Sequence, residues 1–584
     1  MTKTEKILVY SQGGSCSMCR NWAVKSEMSA HISCHPVIGL GHEPMTKFTL
    51  AVIVLVTGVL GVRTVEPVHA QARRTCTDLS SLKWDSGRIT SARLVAAGHF
   101  EPTWPTEAVP GETRARALPK EAFSDLPAFC QVMGQVETSR ESRIRFQVWL
   151  PETTWNRKFR SDGFAFFGGT MDPAVLAAAV RDGYATATTD AGGDGTARAN
   201  FLVNQESLKD WNYRAWHETT VAAKTLIASY YGSGPRFSYW NLTGGNTRQG
   251  LKNIALYPGD YDGIAAGGLS NNVTRLIFAQ MAAWQATHDT PDSYFDARAL
   301  QVLNAGVLAA CDMIDGVKDS LVHDPRECRF DPQVLTCSES RQIDCLKPAQ
   351  VRAVQQQYAP VRHSRTGEQL YPALLPGSEW NGALLNPSPQ LPPADYAANF
   401  FKYVVFRDPN LDWSTRRINY DADVALVDRA DASAVNAIEP DLRPFIRRGG
   451  KLLFYNGWND NLSPLYPIEY YRRVAETTGV DADKSVRLFM IPGMGHNPAN
   501  GNRPYDKANP PPNGYSFDPM PLLTRWRETG QAPEQFAVDH RTGGRLDRQL
   551  LVCPYPQRAE YRGSGDPMQS GSYQCRMVER PAAQ

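Results

Sequence analysis

The sequence carries no surplus of either charge: 62 Lys and Arg stand against 60 Asp and Glu, a formal net charge of +2. A chain so balanced has no electrostatic footprint for nucleic acid or for an acidic surface, and neither is expected among its partners. It also lacks a long hydrophobic run, since the apolar stretch Phe48–Val62 falls short of the about 20 residues that cross a bilayer. Histidines are absent from any cluster spaced for a catalytic transition metal. What is plentiful is punctuation. The 45 glycines and 41 prolines among 584 residues imply many loops, and the length suits about two to four folding units.

The amino-terminal part reads as processing. From Met45, MTKFTLAVIVLVTGVLGVRTVEPVHAQA joins a basic residue, the apolar stretch and small residues near Val68-His69-Ala70, the pattern of a secretory signal cleaved after Ala70. A membrane anchor is the alternative. Residues 1–44 are then an upstream extension, in which Cys16, Cys19, Cys34 and His35 offer metal ligands without a well-spaced second pair. Export fits the remaining cysteines: Cys76, Cys130, Cys311, Cys328, Cys337, Cys345, Cys553 and Cys575 form an even set, as in a disulfide framework. Pairing neighbours in sequence gives 76–130, 311–328, 337–345 and 553–575, which sequence alone does not fix. The expected location is secreted or periplasmic, with no stable membrane partner once the signal is removed.

Beyond Cys76, Ile144–Pro151 alternates like a strand and Trp155–Phe167 reads as an aromatic-rich strand. Asp172–Asp182 is helical, Gly183–Asp190 a short strand, and Tyr213–Tyr231 helical again. Strands alternating with helices predict a mostly parallel sheet covered on both faces. The alternation stops after Gly268 and resumes with a helix at Leu442–Arg448, a strand at Gly450–Trp458, a helix at Leu465–Thr477 and a strand at Ser485–Pro492. The expected organisation is a core in two parts, 71–270 and 441–584, interrupted by an inserted lid domain, 271–440.

The centre of this pattern is Phe237–Gly250, FSYWNLTGGNTRQG, an apolar strand that breaks at a glycine pair and continues as a helix. An α/β-hydrolase presents its nucleophile on such a turn, usually as G-x-S-x-G. Here the serine is missing. Asp460 follows a strand in Tyr455–Asp460, and His496 stands in a glycine-flexed loop, Ile491–His496. The order elbow, Asp, His is that of the α/β-hydrolases, in which the acid orients an imidazole acting as general base. Within the insert, Cys311–Leu321 spaces Asp312, Asp315 and Asp319 around Gly316, a supply of hard oxygens suited to Ca²⁺. A solvated acidic turn is the alternative.

Several segments together resemble the tannase and feruloyl esterase family, which includes the enzyme hydrolysing mono(2-hydroxyethyl) terephthalate. They are YRAWHETTVAAK (Tyr213–Lys224), RQGL (Arg248–Leu251), YPGDYDGIAAG (Tyr257–Gly267), CDMIDGVKDSLVHDP (Cys311–Pro325), FYNGWND (Phe454–Asp460), PGMGH (Pro492–His496) and CPYP (Cys553–Pro556). The resemblance spans Cys76 to Cys575. It implies an α/β-hydrolase fold with a large inserted lid, and cleavage of esters of aromatic acids such as gallate or hydroxycinnamate. It further implies Asp460 as the triad acid and His496 as the base. The implied structural Ca²⁺ would be held by Asp312, Asp315 and Asp319 with the carbonyls of Val317 and Leu321. An aromatic-lined acyl pocket is expected at Phe400–Trp413, where Arg407 could meet an anionic substrate group or make a surface ion pair.

The departures are specific. Against the family's G-C-S-x-G-G-R-Q-G, Gly244 occupies the serine position. Thr243 and Asn497 stand where the family joins two cysteines. The turn that helps form the oxyanion hole is altered to Gly163-Phe164-Ala165-Phe166, and the family's D-T-G-H is Asp190-Ala191-Gly192-Gly193. Thr243 is a weak substitute nucleophile, because a β-branched residue tolerates elbow angles poorly, and Thr247 suits a helix cap. Two functions remain open: an exported ester hydrolase with its nucleophile replaced, or a descendant that binds an aromatic small molecule or uses Asp460 and His496 for acid–base chemistry.

Overall fold

The computed structural model describes residues 73–102, 119–162, 167, 171–193, 199–379, 395–431, 435–479, 482–499 and 511–577. The extension and signal, 1–70, with Cys16, Cys19, Cys34 and His35, lie outside the described residues, as does the turn Gly163–Phe166. In chain order the first strands are β1 (Lys83–Trp84), β2 (Gly87–Val95), β3 (Phe129–Val136), β4 (Ile144–Pro151), β5 (Lys158–Ser161), β6 (Ala185–Thr189), β7 (Phe237–Thr243) and β8 (Gly263–Gly267). The chain then leaves the sheet for a mainly helical insert that includes the hairpin β9 (Val361–Arg362) and β10 (Gln369–Tyr371). It returns as β11 (Lys451–Gly457) and β12 (Val486–Ile491).

These strands build one ten-stranded sheet in the order β1-β2-β3-β4-β6-β5-β7-β8-β11-β12. From β1 to β6 each neighbour is antiparallel, and from β6 to β12 each is parallel. Burial explains the change. Every residue of β6 and of β8 is buried, as expected of parallel strands with helices on both faces, whereas β2 has six or more exposed or half-exposed positions on an antiparallel flank. The helices Pro173–Arg181, Ala215–Tyr231, Gly245–Leu256 and Leu465–Thr478 connect the parallel strands. Asp172 caps the first through the amide of Ala174, with Pro173 at its first position.

Strand β5 lies between β6 and β7, so the chain turns to opposite sides on leaving it. The crevice beyond the carboxyl ends of β5 and β7 is therefore a topological switch point, where open α/β sheets bind ligands. The insert is not independent of the sheet. Phe278, Phe400, Phe401 and Trp413 share the main core with Trp240 and Leu242 of β7, while Leu303, Val307, Val351 and Val354 form a smaller core of the insert's own.

The four disulfides are Cys76–Cys130, Cys311–Cys328, Cys337–Cys345 and Cys553–Cys575, the neighbour pairs expected. Two elements differ from expectation. β5 is confined to Lys158–Ser161, because Arg157 takes φ 65° and Trp155 turns off the sheet to stack on Tyr231 at 3.8 Å. The C-terminal region adds β13 (Gly514–Ser516), β14 (Phe536–Thr542) and β15 (Arg545–Val552) as a small antiparallel sheet, then a hairpin of β16 (Gln557–Tyr561) and β17 (Tyr573–Met577). Largely half-exposed, these strands carry little hydrophobic periodicity to read.

At the end of β6, Asp190 is fully buried and receives hydrogen bonds from the Arg145 amide and guanidinium and from the Gly192 amide. Burial pushes its carboxyl from 3.8 up to about 6, with Arg145 opposing. Between those values the folded chain holds a proton that the unfolded chain has lost, so this group's contribution to stability grows as pH falls through about 6 and is complete below the unfolded value. The urea midpoint of the wild type minus that of Asp190→Asn is expected to be larger at about pH 5 than at about pH 7. A constant or shrinking difference on acidification would contradict this.

Candidate active site

The elbow forms as its sequence predicts. β7 ends at Thr243, Gly244 takes φ 63° and ψ −137°, and the helix begins at Gly245. A side chain at this positive φ would be strained, as elbow nucleophiles are. Gly244 is fixed from both sides: its N–H donates to the Gly267 carbonyl at 2.8 Å, and its own carbonyl accepts from the Thr247 amide and hydroxyl at 2.9 and 2.7 Å. Thr247 is thus committed to capping, while Thr243 is buried at the strand end. Arg248, next in the helix, lays its guanidinium over the Trp211 ring at 4.1 Å and donates to the Val435 carbonyl. Thr247 and Arg248 are held by these contacts, and Gly244 offers no hydroxyl.

Asp460 and His496 are brought together. His496 Nδ1 lies 3.1 Å from both carboxylate oxygens of Asp460. The acid is almost wholly buried and the imidazole about one-fifth exposed, so the Nδ1 edge is anchored while part of the ring stays accessible. Asp460 Oδ1 accepts from the Leu462 amide at 2.8 Å and Oδ2 from Asn456 Nδ2 at 3.0 Å. The opposite end of that amide, Asn456 Oδ1, accepts from the Leu269 amide, tying the acid to the loop beyond β8. There a Cβ on Gly268, φ 58°, would stand 3.1 Å from His496 Cε1 and 2.2 Å from its carbonyl oxygen. Gly268 follows the residue that hydrogen-bonds Gly244, so elbow, histidine and acid converge at neighbouring strand ends.

Parallel pairing of β11 with β12 aligns the acid and histidine loops, and side chains then sew them together. Asn459 donates its amide N–H to the Met494 carbonyl and its Nδ2 to the Gly377 carbonyl of the insert, while its Oδ1 accepts from the Gly493 amide. Within FYNGWND the order of the chain marks only Asp460; Asn456 and Asn459, flanking it in the same motif, position it, and two amides so close to an acid are the signal for them.

The acidic loop of the insert also touches this region. Asp312 Oδ1 accepts from the amides of Asp319 and Ser320, Asp315 Oδ1 from Val317, and Asp319 Oδ1 from Leu321. Asp315 Oδ2 and Asp319 Oδ2 both face His323 Nε2, at 3.4 and 3.2 Å. Among the described residues no three His, Cys, Asp or Glu are grouped as a metal cage. Asp312 and Asp319 are buried and Asp315 half-buried, with Arg548 also facing Asp319 at 3.7 Å; three carboxylates on one turn are oxygen donors of the type a hard cation takes. Leu321 lies against Gly493, where an added Cβ would be 2.8 Å from it, so this loop buttresses the one carrying His496. In the segment Phe400–Trp413 the aromatic side chains face inward, Phe401 packing on Phe278 and Trp413, and Arg407 is exposed.

A parallel-centred sheet with an elbow, an acid and a histidine at successive strand ends defines an α/β-hydrolase. Residues 130–576 match the family model described as tannase and feruloyl esterase, and the chain belongs to that family. It is 31% identical over 546 residues to an uncharacterized esterase of Xanthomonas campestris pv. campestris, covering 87% of this chain and 92% of that one. It is also 31% identical over 467 residues to a protein named probable feruloyl esterase B-2 of Aspergillus terreus, covering 76% and 86%. The crystal structure of feruloyl esterase B from Aspergillus oryzae superposes with a TM-score of 0.74 at 27% identity, covering 87% of this chain and all of that one.

Gly457 is where the two loops meet most closely: a Cβ there would stand 1.9 Å from the Met494 carbonyl oxygen. Gly457→Ala is expected to lower stability by about 2 kcal/mol or more and to speed hydrogen exchange of the Trp458 amide, which is bonded to the Ile491 carbonyl. Wild-type stability and exchange in this variant would show that the loops do not depend on the contact.

Proposed function

We propose that this chain is an exported carboxylic ester hydrolase acting on esters of aromatic acids, in which Asp460 and His496 activate water directly because the elbow residue, Gly244, has no nucleophile. The observation that carries the reading is the Asp460–His496 pair, held at 3.1 Å beside an intact elbow. With Nδ1 held by Asp460, His496 Nε2 takes a proton from water as the water oxygen attacks the ester carbonyl carbon. The tetrahedral intermediate then collapses, its C–O bond to the alcohol breaks, and the leaving alkoxide receives the proton from His496. No acyl-enzyme forms, so covalent catalysis is lost and the rate falls by orders of magnitude. Four disulfides support an oxidising destination. The insert, 271–440, would act as a lid over the crevice, anchored through the Asn459 to Gly377 bond.

Restoring the nucleophile is the direct test. Gly244→Ser is expected to raise kcat/KM toward galloyl, feruloyl or short p-nitrophenyl esters by about 100-fold or more and to make the protein react with a fluorophosphonate probe, which the wild type resists. Wild-type labelling would mean that a hydroxyl elsewhere serves as nucleophile. Turnover unchanged in His496→Ala would sink the general-base role. An absence of any turnover in the wild type together with a large gain in Gly244→Ser would favour the second reading, a non-hydrolytic descendant that binds an aromatic molecule.

We also propose Ca²⁺ as a structural ion held by Asp312, Asp315 and Asp319 with the carbonyls of Val317 and Leu321. Bound there, it would neutralise the three carboxylates and stiffen the loop that supports Gly493. Chelation is expected to lower the melting temperature by about a few degrees, restored by Ca²⁺ and not by Mg²⁺. A melting curve indifferent to chelator would exclude the ion.

A further inference from the structure

The insert holds a buried carboxyl that no cation balances. Glu379 is 2% exposed, and among the described residues no Lys, Arg or His makes an ion pair with it. Its oxygens meet neutral donors instead. The Gly377 amide lies 3.0 Å from Oε1 and 2.8 Å from Oε2, and the Tyr358 hydroxyl, at the end of the helix Pro348–Gln357, also donates to Oε1. A carboxyl taken out of water without a counter-charge is costly, and such residues are rarely buried so completely.

These partners place it where the insert is fastened. Gly377 takes φ 102°, a conformation strained for any other residue, and the amide of this turn is held by Glu379. The carbonyl of the same residue accepts from Asn459 Nδ2. Asn459 in turn donates its amide to the Met494 carbonyl and accepts from the Gly493 amide through Oδ1, in the loop that carries His496. One run of hydrogen bonds therefore joins a carboxyl of the insert to the histidine loop, through the neighbour of Asp460.

We propose that Glu379 is a positioning residue: by holding the Gly377 amide it keeps the Gly377 carbonyl on Asn459, and so sets the placement of the Asp460 and His496 loops. This control responds to protons. Burial pushes the Glu379 carboxyl above its ordinary 4.5, with the Tyr358 hydroxyl and the Gly377 amide opposing. Tyr358 is the titratable group that faces it, itself held protonated by burial; the acid loop meets the turn through the neutral Asn459, and the acidic loop through Val322. An opened turn hydrates the carboxyl and returns it to its ordinary range. The closed turn thus keeps a proton that the open one gives up, so closure is strongest below about 4.5 and weakens as pH rises through the raised value.

Hydrogen exchange of the full chain, read by mass spectrometry on the segment Pro492–His496 and corrected for its intrinsic pH dependence, tests the proposal. Glu379→Leu, which leaves the Gly377 amide unpaired, is expected to speed exchange there by at least about tenfold. Glu379→Gln keeps an acceptor and cannot ionise. It is expected to match the wild type at about pH 5 and to stay as protected at about pH 8, where the wild type loses protection several-fold. Should Glu379→Leu fail to fold, Tyr358→Phe is read instead, and loss of the opposing hydroxyl is expected to deepen the loss of protection at about pH 8. The kinetic arm rests on Asp460 and His496 being catalytic: kcat is then expected to fall at least about tenfold in Glu379→Leu and to recover in Glu379→Gln. No ester turnover in the wild type would remove that reading and leave exchange to decide this one. Exchange that ignores Glu379→Leu, equal damage from Glu379→Gln and Glu379→Leu, or wild-type protection unchanged between the two pH values would overturn the proposal.

Discussion

Everything at the crevice depends on a single backbone approach: the carbonyl of Met494 presses onto Gly457 at the end of β11, closer than any side chain would allow. Parallel pairing of β11 with β12 brings the acid and histidine loops to the same edge, but pairing alone leaves their tips free. The missing Cβ lets the tips touch, and Asn459 then bonds both the Met494 carbonyl and the Gly493 amide. Only with the loops closed in this way can a buried carboxylate face an imidazole from another strand. The insert bonds to the same asparagine through Gly377, so it is fastened to the acid loop itself.

The elbow shows how far a turn can be separated from the group it presents. Gly244 takes a conformation that glycine adopts easily and serine adopts under strain. The bonds that hold it, from Gly267 on one side and from Thr247 on the other, all run through its backbone. A glycine there brings neither side-chain chemistry nor side-chain strain, and the bonds that hold the turn do not call for a side chain.

Much of this was legible in sequence. The alternation of strands and helices, the elbow, and the order of Asp460 and His496 are local signals of period and punctuation, and they fell on strands and loops as expected. The cysteine pairs were legible because the eight, taken two by two in chain order, are the bonded pairs. What stayed hidden lies in partnerships across long separations. Asn456 reaches Leu269 over 187 residues and Asn459 reaches Gly377 over 82, and no periodicity encodes such contacts. The inward packing of Phe401 and Trp413 was hidden for a related reason, because an aromatic-rich segment reads alike whether it lines a pocket or fills a core. The C-terminal strands, half-exposed on small sheets, carried too little alternation to be seen.

The four cross-links close intervals of 54, 17, 8 and 22 residues, each inside one segment of the chain. Among the described residues none joins the strands before the insert to those after it. A single proteolytic cut between Cys345 and Lys451 would thus leave β8 and β11 side by side, held by hydrogen bonds and packing alone. Such a nicked molecule would migrate whole under native conditions and as two pieces in denaturant without any reductant, so the covalent continuity of the sheet rests on the peptide chain of the insert.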